Sequence, residues 1–130
     1  MVNANMANAY KRQQILTASP EELTLLLYNG ALRFVHESIT AMEQGQREKS
    51  SNANLRAQEI VREFMATLDM KYELSKTWMR LYDYVEYCLI QGNIKQDKEK
   101  LEQARHTLQE LRDAWVGAMK QVRSARAVAK

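Results

Sequence analysis

Few residues of this sequence are of the types that carry acid–base or nucleophilic chemistry near neutral pH. The chain has two histidines, His36 and His106, and a single cysteine, Cys88. Histidine is the side chain whose unperturbed pKa lies nearest to neutrality, but catalysis requires several such groups to converge. Neither histidine has the company that catalysis would need. The sequence therefore predicts no catalytic residues.

One set of residues has a spacing that could supply half of a metal site. Glu102, His106 and Glu110 recur every four residues, and such positions share one face of an α-helix. This face lies opposite the apolar seam of the same segment, so the favoured interpretation is a solvated charged face. The sequence also has no Glu-x-x-His pair for a di-iron bundle, no zinc spacing and no phosphate-binding glycine loop. We therefore expect no metal and no cofactor.

Cysteine use, hydropathy and charge indicate the class of protein and its compartment. Cys88 lies in an apolar run without a second cysteine, which is typical of a buried thiol in a reducing compartment. No stretch approaches the roughly 20 apolar residues that span a bilayer, and the amino-terminal segment lacks a signal-peptide block. Basic residues exceed acidic ones by 19 − 16 = 3, a weak indication of nucleic-acid binding. We expect a cytoplasmic protein without stable membrane insertion.

Capping residues predict where the first long helix begins and ends. Ser19, Pro20 and Glu22 form a capping box with proline at the first helical position, so the helix begins at Pro20. Gly45 supplies the left-handed residue that commonly ends a helix, here at about Gln44. A polar link over residues 46–54 is expected to follow.

Three further helices are predicted from apolar positions that recur every three or four residues. The second helix presents one apolar face, formed by Ala57, Ile60, Val61, Phe64 and Leu68. After a turn at residues 69–71, the third helix buries a longer stripe and ends at Gly92: Leu74, Trp78, Leu81, Tyr82, Val85, Cys88 and Leu89. A link over residues 93–96 leads to Asp97, the expected N-cap of the fourth helix, whose seam is Leu101, Ala104, Leu108, Leu111, Trp115, Ala118 and Val122.

Short links between long helices favour an all-α, antiparallel, up-and-down four-helix bundle. The length of 130 residues, 45% of them hydrophobic, fits one domain. We expect a flexible N-terminal arm over residues 1–18, the bundle over residues 19–123 and a basic tail over residues 124–130.

The first long helix is apolar over more than half of its circumference. One stripe, sufficient for a core-facing helix, consists of Leu23, Leu26, Leu27, Gly30 and Phe34. A second stripe lies on an adjacent face and consists of Leu25, Tyr28, Leu32, Val35 and Ile39. Two interpretations stay open: a central helix with several neighbours, or a groove for a partner. Met79, Tyr84, Tyr87 and Ile90 also lie off the core stripe of the third helix.

The N-terminal arm carries three large apolar residues in a polar context, namely Tyr10, Ile15 and Leu16. Leu16 is expected to pack beside the start of the first long helix. A further hypothesis is that Tyr10 folds back onto an apolar groove and shields it while no partner is bound.

Three segments together resemble the FliS family of flagellar secretion chaperones. They are TASPEELTLLLYNGAL at residues 17–32, LYDY at residues 81–84 and LQELRDAW at residues 108–115. The resemblance spans nearly the whole chain, and its first segment is the most specific. The chain departs from the family at Tyr72-Glu73, where a glycine pair is common, and at Glu86-Tyr87, where a basic pair is common.

The resemblance implies a cytosolic export chaperone, not an enzyme, that binds newly made flagellin in bacteria and prevents its premature polymerisation. Its partners would be the disordered C-terminal segment of flagellin and the flagellar type III export apparatus. The resemblance and the apolar stripes together predict a client groove formed by Leu25, Tyr28, Leu32, Val35, Met79, Tyr82 and Tyr84. An N-terminal cap would comprise Tyr10, Ile15 and Leu16, with Tyr10 covering the groove.

Two alternatives belong to other functional classes. A phosphotransfer or signalling bundle would use His36 as its acceptor, although the lysine and glycine typical of such domains are missing nearby. Nucleic-acid binding would use the basic residues Lys120, Arg123, Arg126 and Lys130, which more often stabilise a helix end. We expect no nucleic-acid partner, and the sequence leaves open whether the free protein forms a homodimer.

Overall fold

The computed structural model describes residues 4–129, which form five α-helices and no strand. The helices are α1 (Ala4–Thr17), α2 (Pro20–Glu43), α3 (Arg47–Thr67), α4 (Glu73–Lys95) and α5 (Lys98–Ala129). The predicted all-α fold is confirmed, with five helices in place of four because the segment before Ser19 is itself helical. Residues 1–3 and Lys130, which belong to the predicted arm and tail, lie outside the described residues. The mobility of the arm stays a prediction.

The ends of α2 are those that its capping residues predict. The Oγ of Ser19 accepts a hydrogen bond from the backbone N–H of Glu22 at 3.2 Å. At the other end, Gly45 adopts a φ of 72°, and the N–H of Gln46 donates to the carbonyl oxygen of Ala41 at 2.8 Å. A left-handed glycine with such a reverse bond is the usual way to satisfy the last carbonyls of a helix.

The predicted link over residues 46–54 is wrong, because α3 already begins at Arg47. Two polar residues in its first turns, Ser50 and Asn54, are buried, and each has a hydrogen-bond partner. Ser50 and Ser38 donate hydrogen bonds to each other's backbone carbonyl oxygens at 2.8 and 2.9 Å, and their hydroxyls lie 3.0 Å apart. The Nδ2 of Asn54 donates to the carbonyl oxygen of Leu89 at 3.1 Å. Polarity in this segment therefore marks a hydrogen-bonded helix interface rather than a solvated loop.

The end predicted for the third long helix is also wrong. α4 continues through Gly92 to Lys95 and ends at Gln96, which adopts the left-handed conformation with a φ of 51°. Gly92 serves close packing, since a Cβ at this position would lie 2.6 Å from the Cδ2 of Leu101. Asp97 does cap α5 as predicted: its Oδ1 accepts a hydrogen bond from the N–H of Glu99 at 3.0 Å. The turn predicted at residues 69–71 is present as well.

Helices α2 to α5 pack as a ring of neighbours, in which α2 and α4 each contact both α3 and α5. The side chains at the centre of this ring are fully or almost fully buried, and they include Tyr28, Val35, Val61, Phe64, Tyr82, Leu89, Leu101 and Leu108. Cys88 is also buried, as predicted. The core is therefore contributed by all four long helices.

The sequence does not show which of the two apolar stripes of α2 faces the core. Tyr28, Val35 and Ile39 of the second stripe are buried in the core. Leu23 of the first stripe is 37% exposed, and Leu26 is half-buried. Periodicity identifies stripes but does not rank them, and here the stripe with the tyrosine points inward because its hydroxyl finds a buried partner.

Candidate interaction surface

An apolar cleft of about 550 Å³ opens at the end of the molecule where α3 connects to α4. Its floor is the edge of the core, formed by Tyr28, Phe64 and Tyr82. The walls come from four elements that meet at this end, and their large apolar members are Leu68, Leu74, Trp78 and Trp115. Clefts lined mainly by aromatic and aliphatic side chains are typical of binding sites for apolar groups.

Stacked aromatic rings make the floor of the cleft rigid. The ring centroids of Tyr28 and Phe64 lie 4.5 Å apart, and those of Phe64 and Tyr82 lie 5.4 Å apart. Trp78 contacts Tyr82 at 6.2 Å in a tilted arrangement. The hydroxyl oxygens of Tyr28 and Tyr82 lie 2.7 Å apart in a buried hydrogen bond, which fixes both rings.

The floor is uncharged over the physiological pH range. Burial raises the pKa of the Tyr28 hydroxyl, and its hydrogen bond with Tyr82 raises it further. Burial also raises the pKa of Tyr82, an effect that the hydrogen bond with Tyr28 partly offsets. Both phenols are neutral, so the cleft presents apolar rings and favours apolar side chains over anions.

The rim of the cleft exposes large apolar side chains around the α3–α4 turn. Met70, Tyr72 and Leu74 are 48%, 66% and 64% exposed. The turn is fixed by its polar residues, since the Oδ1 of Asp69 accepts from the N–H of Lys71 at 3.0 Å and Ser75 donates to the Asp69 carbonyl. Sequence reasoning assigned Leu74 to the core and gave Met70 and Tyr72 no role. The sequence feature that could have identified this surface is the presence of three large apolar residues around one turn.

Trp115 connects the cleft to the start of α2. Its Nε1 donates a hydrogen bond to the backbone carbonyl oxygen of Glu21 at 3.1 Å. Because Ala18 and Ser19 alone separate α1 from α2, this contact places the end of α1 near the same end of the molecule.

The predicted cap residues are exposed in α1. Tyr10 is 71% exposed, Ile15 is 52% exposed and Leu16 is 75% exposed. Leu16 therefore does not pack beside the start of α2 as expected, and the described residues that line the cleft include none from α1. A capping role for Tyr10 stays a prediction.

The predicted client groove is divided between the interior and the surface. Tyr28, Val35 and Tyr82 are buried, and Tyr28 and Tyr82 meet in the floor of the cleft. The other four residues do not line the cleft: Leu25, Leu32 and Met79 are half-buried, and Tyr84 is 43% exposed. Contacts of these residues with a client stay predictions.

A second exposed aromatic surface lies where α4 faces α5. Tyr87 is 53% exposed and lies under the Nζ of Lys100, which is 5.8 Å from its ring centroid. The hydroxyl of Tyr84 donates to the Oε1 of Gln103 at 3.4 Å. Tyrosines with one polar contact and an exposed ring are common at protein interfaces.

The two histidines considered for chemistry are exposed and lie on different helices. His36 is on the exposed side of α2. His106 and Glu110 form an exposed pair, with the Nε2 of the histidine 2.8 Å from the carboxylate. Among the described residues, no three His, Cys, Asp or Glu side chains are grouped as metal ligands, and no helix is long and apolar enough to cross a membrane.

The fold and its surfaces define a class of all-helical protein that presents an apolar, aromatic-lined cleft next to a helical arm. This is the geometry in which proteins bind amphipathic segments of other proteins.

Comparison with known proteins gives the family. Residues 3–122 match the family described as "Flagellar protein FliS", so the chain belongs to the FliS family. It is 36% identical over 126 residues to the flagellar secretion chaperone FliS of Bacillus subtilis, covering 97% of this chain and 95% of the relative. It is also 26% identical to the Vibrio cholerae flagellar secretion chaperone FliS, covering 82% of this chain and 83% of that protein. The Salmonella typhimurium protein of the same name is 28% identical, covering 78% and 77%.

Proposed function

We propose that this protein is a cytosolic export chaperone that binds the disordered C-terminal segment of flagellin. Binding prevents premature polymerisation of flagellin and supports its delivery to the flagellar type III export apparatus. Family membership supports the chaperone role, and the names of the relatives support the link to flagellar secretion. The observation that carries the proposal is the aromatic-lined cleft at the α3–α4 end.

The chemistry of the cleft fits an unfolded, apolar client. A disordered segment loses conformational entropy when it folds on its partner, so the chaperone must offer a large apolar surface to offset that loss. The exposed ring of Tyr72 adds to the cleft, and those of Tyr84 and Tyr87 offer further aromatic surface on α4. The client would form helices whose apolar side chains occupy this surface, and the modest net affinity would permit release.

In this proposal, α2 to α5 act as an antiparallel four-helix bundle and α1 acts as a mobile N-terminal cap. The bundle supplies the rigid floor through the Tyr28–Tyr82 hydrogen bond. The cap would lower the apolar exposure of the free chaperone by placing Tyr10 on the client surface, after rotation about Ala18 and Ser19. Such shielding reduces self-association, since large exposed apolar patches favour aggregation.

The proposal is tested by calorimetric titration of a flagellin C-terminal peptide into a pair of matched variants. Leu74 and Ile94 are 64% and 63% exposed and lie near opposite ends of α4, but only Leu74 lines the cleft. We expect Leu74→Ser to weaken binding by about tenfold, the cost of losing one well-buried aliphatic anchor. Ile94→Ser is expected to leave the dissociation constant within about twofold.

Both variants should keep the melting temperature of the parent, because both side chains are exposed. Equal binding by the two variants would show that the cleft is not the client site. Absence of binding by the parent protein would contradict the flagellin assignment itself.

A further inference from the structure

The carboxyl-terminal part of α5 extends beyond the helices that it packs against. Buried seam positions end at Leu111, and Trp115 marks the level at which α2 begins, through its hydrogen bond to Glu21. Residues 116–129 continue the helix for about 21 Å, at 1.5 Å per residue. The seam predicted through Val122 therefore leaves the core, and Val122 is 47% exposed.

This extension has an apolar stripe beside a basic flank. A notch of about 280 Å³ is lined by Trp115, Met119 and Val122 together with Arg123 and Arg126, which lie next to them along the same helix. Glu21 is the one acidic residue at its edge. The notch shares Trp115 and Ala118 with the large cleft but lies farther along α5.

The described basic residues of the extension form no ion pair with the rest of residues 4–129. From Ala114 to Lys130 the sequence has four basic residues and no acidic one. Within residues 4–129, the ion pairs involve neither Arg123 nor Arg126, nor Lys120. An exposed apolar stripe flanked by unpaired guanidinium groups is complementary to an amphipathic helix with acidic flanks.

The occupant is not supplied by this chain itself. The charged residues of α1 are Lys11 and Arg12, so α1 carries the same sign of charge as the extension. A second copy that docked through its own extension would bring a second basic surface to the same place. Charge complementarity therefore selects an acidic segment from a different protein.

We propose that the α5 extension is a docking surface for an acidic, amphipathic helical segment of a partner protein. Its apolar side chains would pack on Trp115, Met119 and Val122, and its carboxylates would pair with Arg123 and Arg126. This surface shares Trp115 and Ala118 with the cleft proposed to hold flagellin, but Met119, Val122 and its basic residues do not line that cleft. The proposed docking therefore does not depend on the flagellin assignment.

The test uses the full chain and two synthetic peptides of about 18 residues, long enough to form a helix on binding. Both peptides carry leucines at helical spacing, with glutamates flanking them in one and lysines in the other. Fluorescence anisotropy should show tighter binding of the acidic peptide. Arg123→Glu should weaken that binding by about fivefold or more, whereas Arg80→Glu, the same charge reversal at an exposed site on α4, should not.

Val122→Ser tests the apolar stripe at a residue that is 47% exposed, so this variant should keep the melting temperature of the parent. Weaker acidic-peptide binding by this variant supports the proposal. Equal affinity for the two peptides, or no effect of Arg123→Glu, overturns it.

Three further outcomes would assign the surface to another occupant and overturn the proposal. Tighter binding of a short DNA duplex than of the acidic peptide, insensitive to Val122→Ser, would indicate a nucleic-acid site. Self-association in sedimentation that Arg123→Glu abolishes would indicate a second copy. A decrease in acidic-peptide affinity on Lys11→Glu substitution, with cross-linking between α1 and α5, would indicate that α1 covers the surface.

Discussion

At the scale of single residues, the buried Tyr28–Tyr82 pair should make stability depend on alkaline pH. Both folded-state pKa values lie above the unfolded value of about 10, so the stabilisation is complete below that pH and is lost as the pH rises further. Each phenol that stays neutral in the folded protein should lower the free energy of unfolding by about 1.4 kcal/mol per pH unit above pH 10.

Urea unfolding across this pH range measures the slope, and near-ultraviolet absorbance follows tyrosinate formation. Tyr82→Phe should make the slope shallower, whereas Tyr72→Phe, at a 66% exposed tyrosine, should leave it unchanged. Titration of all six tyrosines together in the folded protein would contradict the assignment.

The Ser38–Ser50 contact predicts energetic coupling between α2 and α3. Each hydroxyl donates to the other residue's carbonyl oxygen, and the two hydroxyls contact each other. Ser38→Ala and Ser50→Ala should each cost about 1 kcal/mol, with a coupling energy of at least about 0.5 kcal/mol in the double variant. Denaturant unfolding gives these values, and Ser124→Ala on the exposed end of α5 is the control. Strict additivity would show that the two serines stabilise independently.

The role of a single residue can be predicted from the sequence where its contacts are local, but not where its partners are distant in the chain. The sequence correctly predicts that Cys88 is buried and that Ser19 and Asp97 are caps, because each depends on local chemistry. It does not reveal that Ser50 and Asn54 are buried, since their partners lie 12 and 35 positions away in the chain. Likewise, Tyr28 could be placed in the core only by knowing that Tyr82 faces it.

At the scale of elements, alanine substitution at two helical glycines should change the stability of the protein in opposite directions. A Cβ at Gly92 would meet the Cδ2 of Leu101 at 2.6 Å, whereas a Cβ at Gly117 would meet nothing within 4 Å. Gly92→Ala should destabilise the protein by about 1–3 kcal/mol through overpacking between α4 and α5. Gly117→Ala should stabilise α5 by about 0.5–1 kcal/mol through helix propensity.

Thermal and denaturant unfolding of the two variants check both signs. A neutral Gly92→Ala variant would show that Leu101 can move aside and that the close approach of α4 to α5 is not required. Loss of stability in Gly117→Ala would contradict the exposed, regular geometry of the α5 extension.

The ends of some helices can be predicted from the sequence better than the ends of others. Caps predict the ends of α2 because a serine, a proline and a glycine act locally. Gly92 misleads, since glycine can end a helix or permit two helices to approach, and the sequence alone does not separate these uses. α3 begins earlier than predicted because its polar residues, among them Ser50 and Asn54, are hydrogen-bonded in a helix interface. A polar stretch can form an interface when its partners are polar too.

At the scale of the whole molecule, the cleft arises because elements of unequal length meet at one end. α5 continues past the start of α2, and the α3–α4 turn leaves Leu74 and Tyr72 outside the core. The sequence predicts an excess of apolar surface and a tyrosine-bearing arm. It places much of that excess on the second stripe of α2, but most of this stripe is buried in the core. Relative helix lengths and crossing positions decide which stripe is covered, and these are properties of the assembled fold.

The arm formed by α1 is expected to compete with the client for the same surface. Tyr10 is 71% exposed, so Tyr10→Ala should leave the melting temperature unchanged. If α1 covers the client surface for most of the time, the apparent affinity for client is reduced by the fraction of uncovered molecules. Removing the tyrosine ring should then tighten binding of the flagellin C-terminal peptide by about threefold to tenfold in calorimetry. Gln13→Ala, at another exposed position of α1, is the control. A dissociation constant equal to that of the parent would mean that α1 does not compete with the client, and the shielding would have to be assigned to self-association of the free chaperone instead.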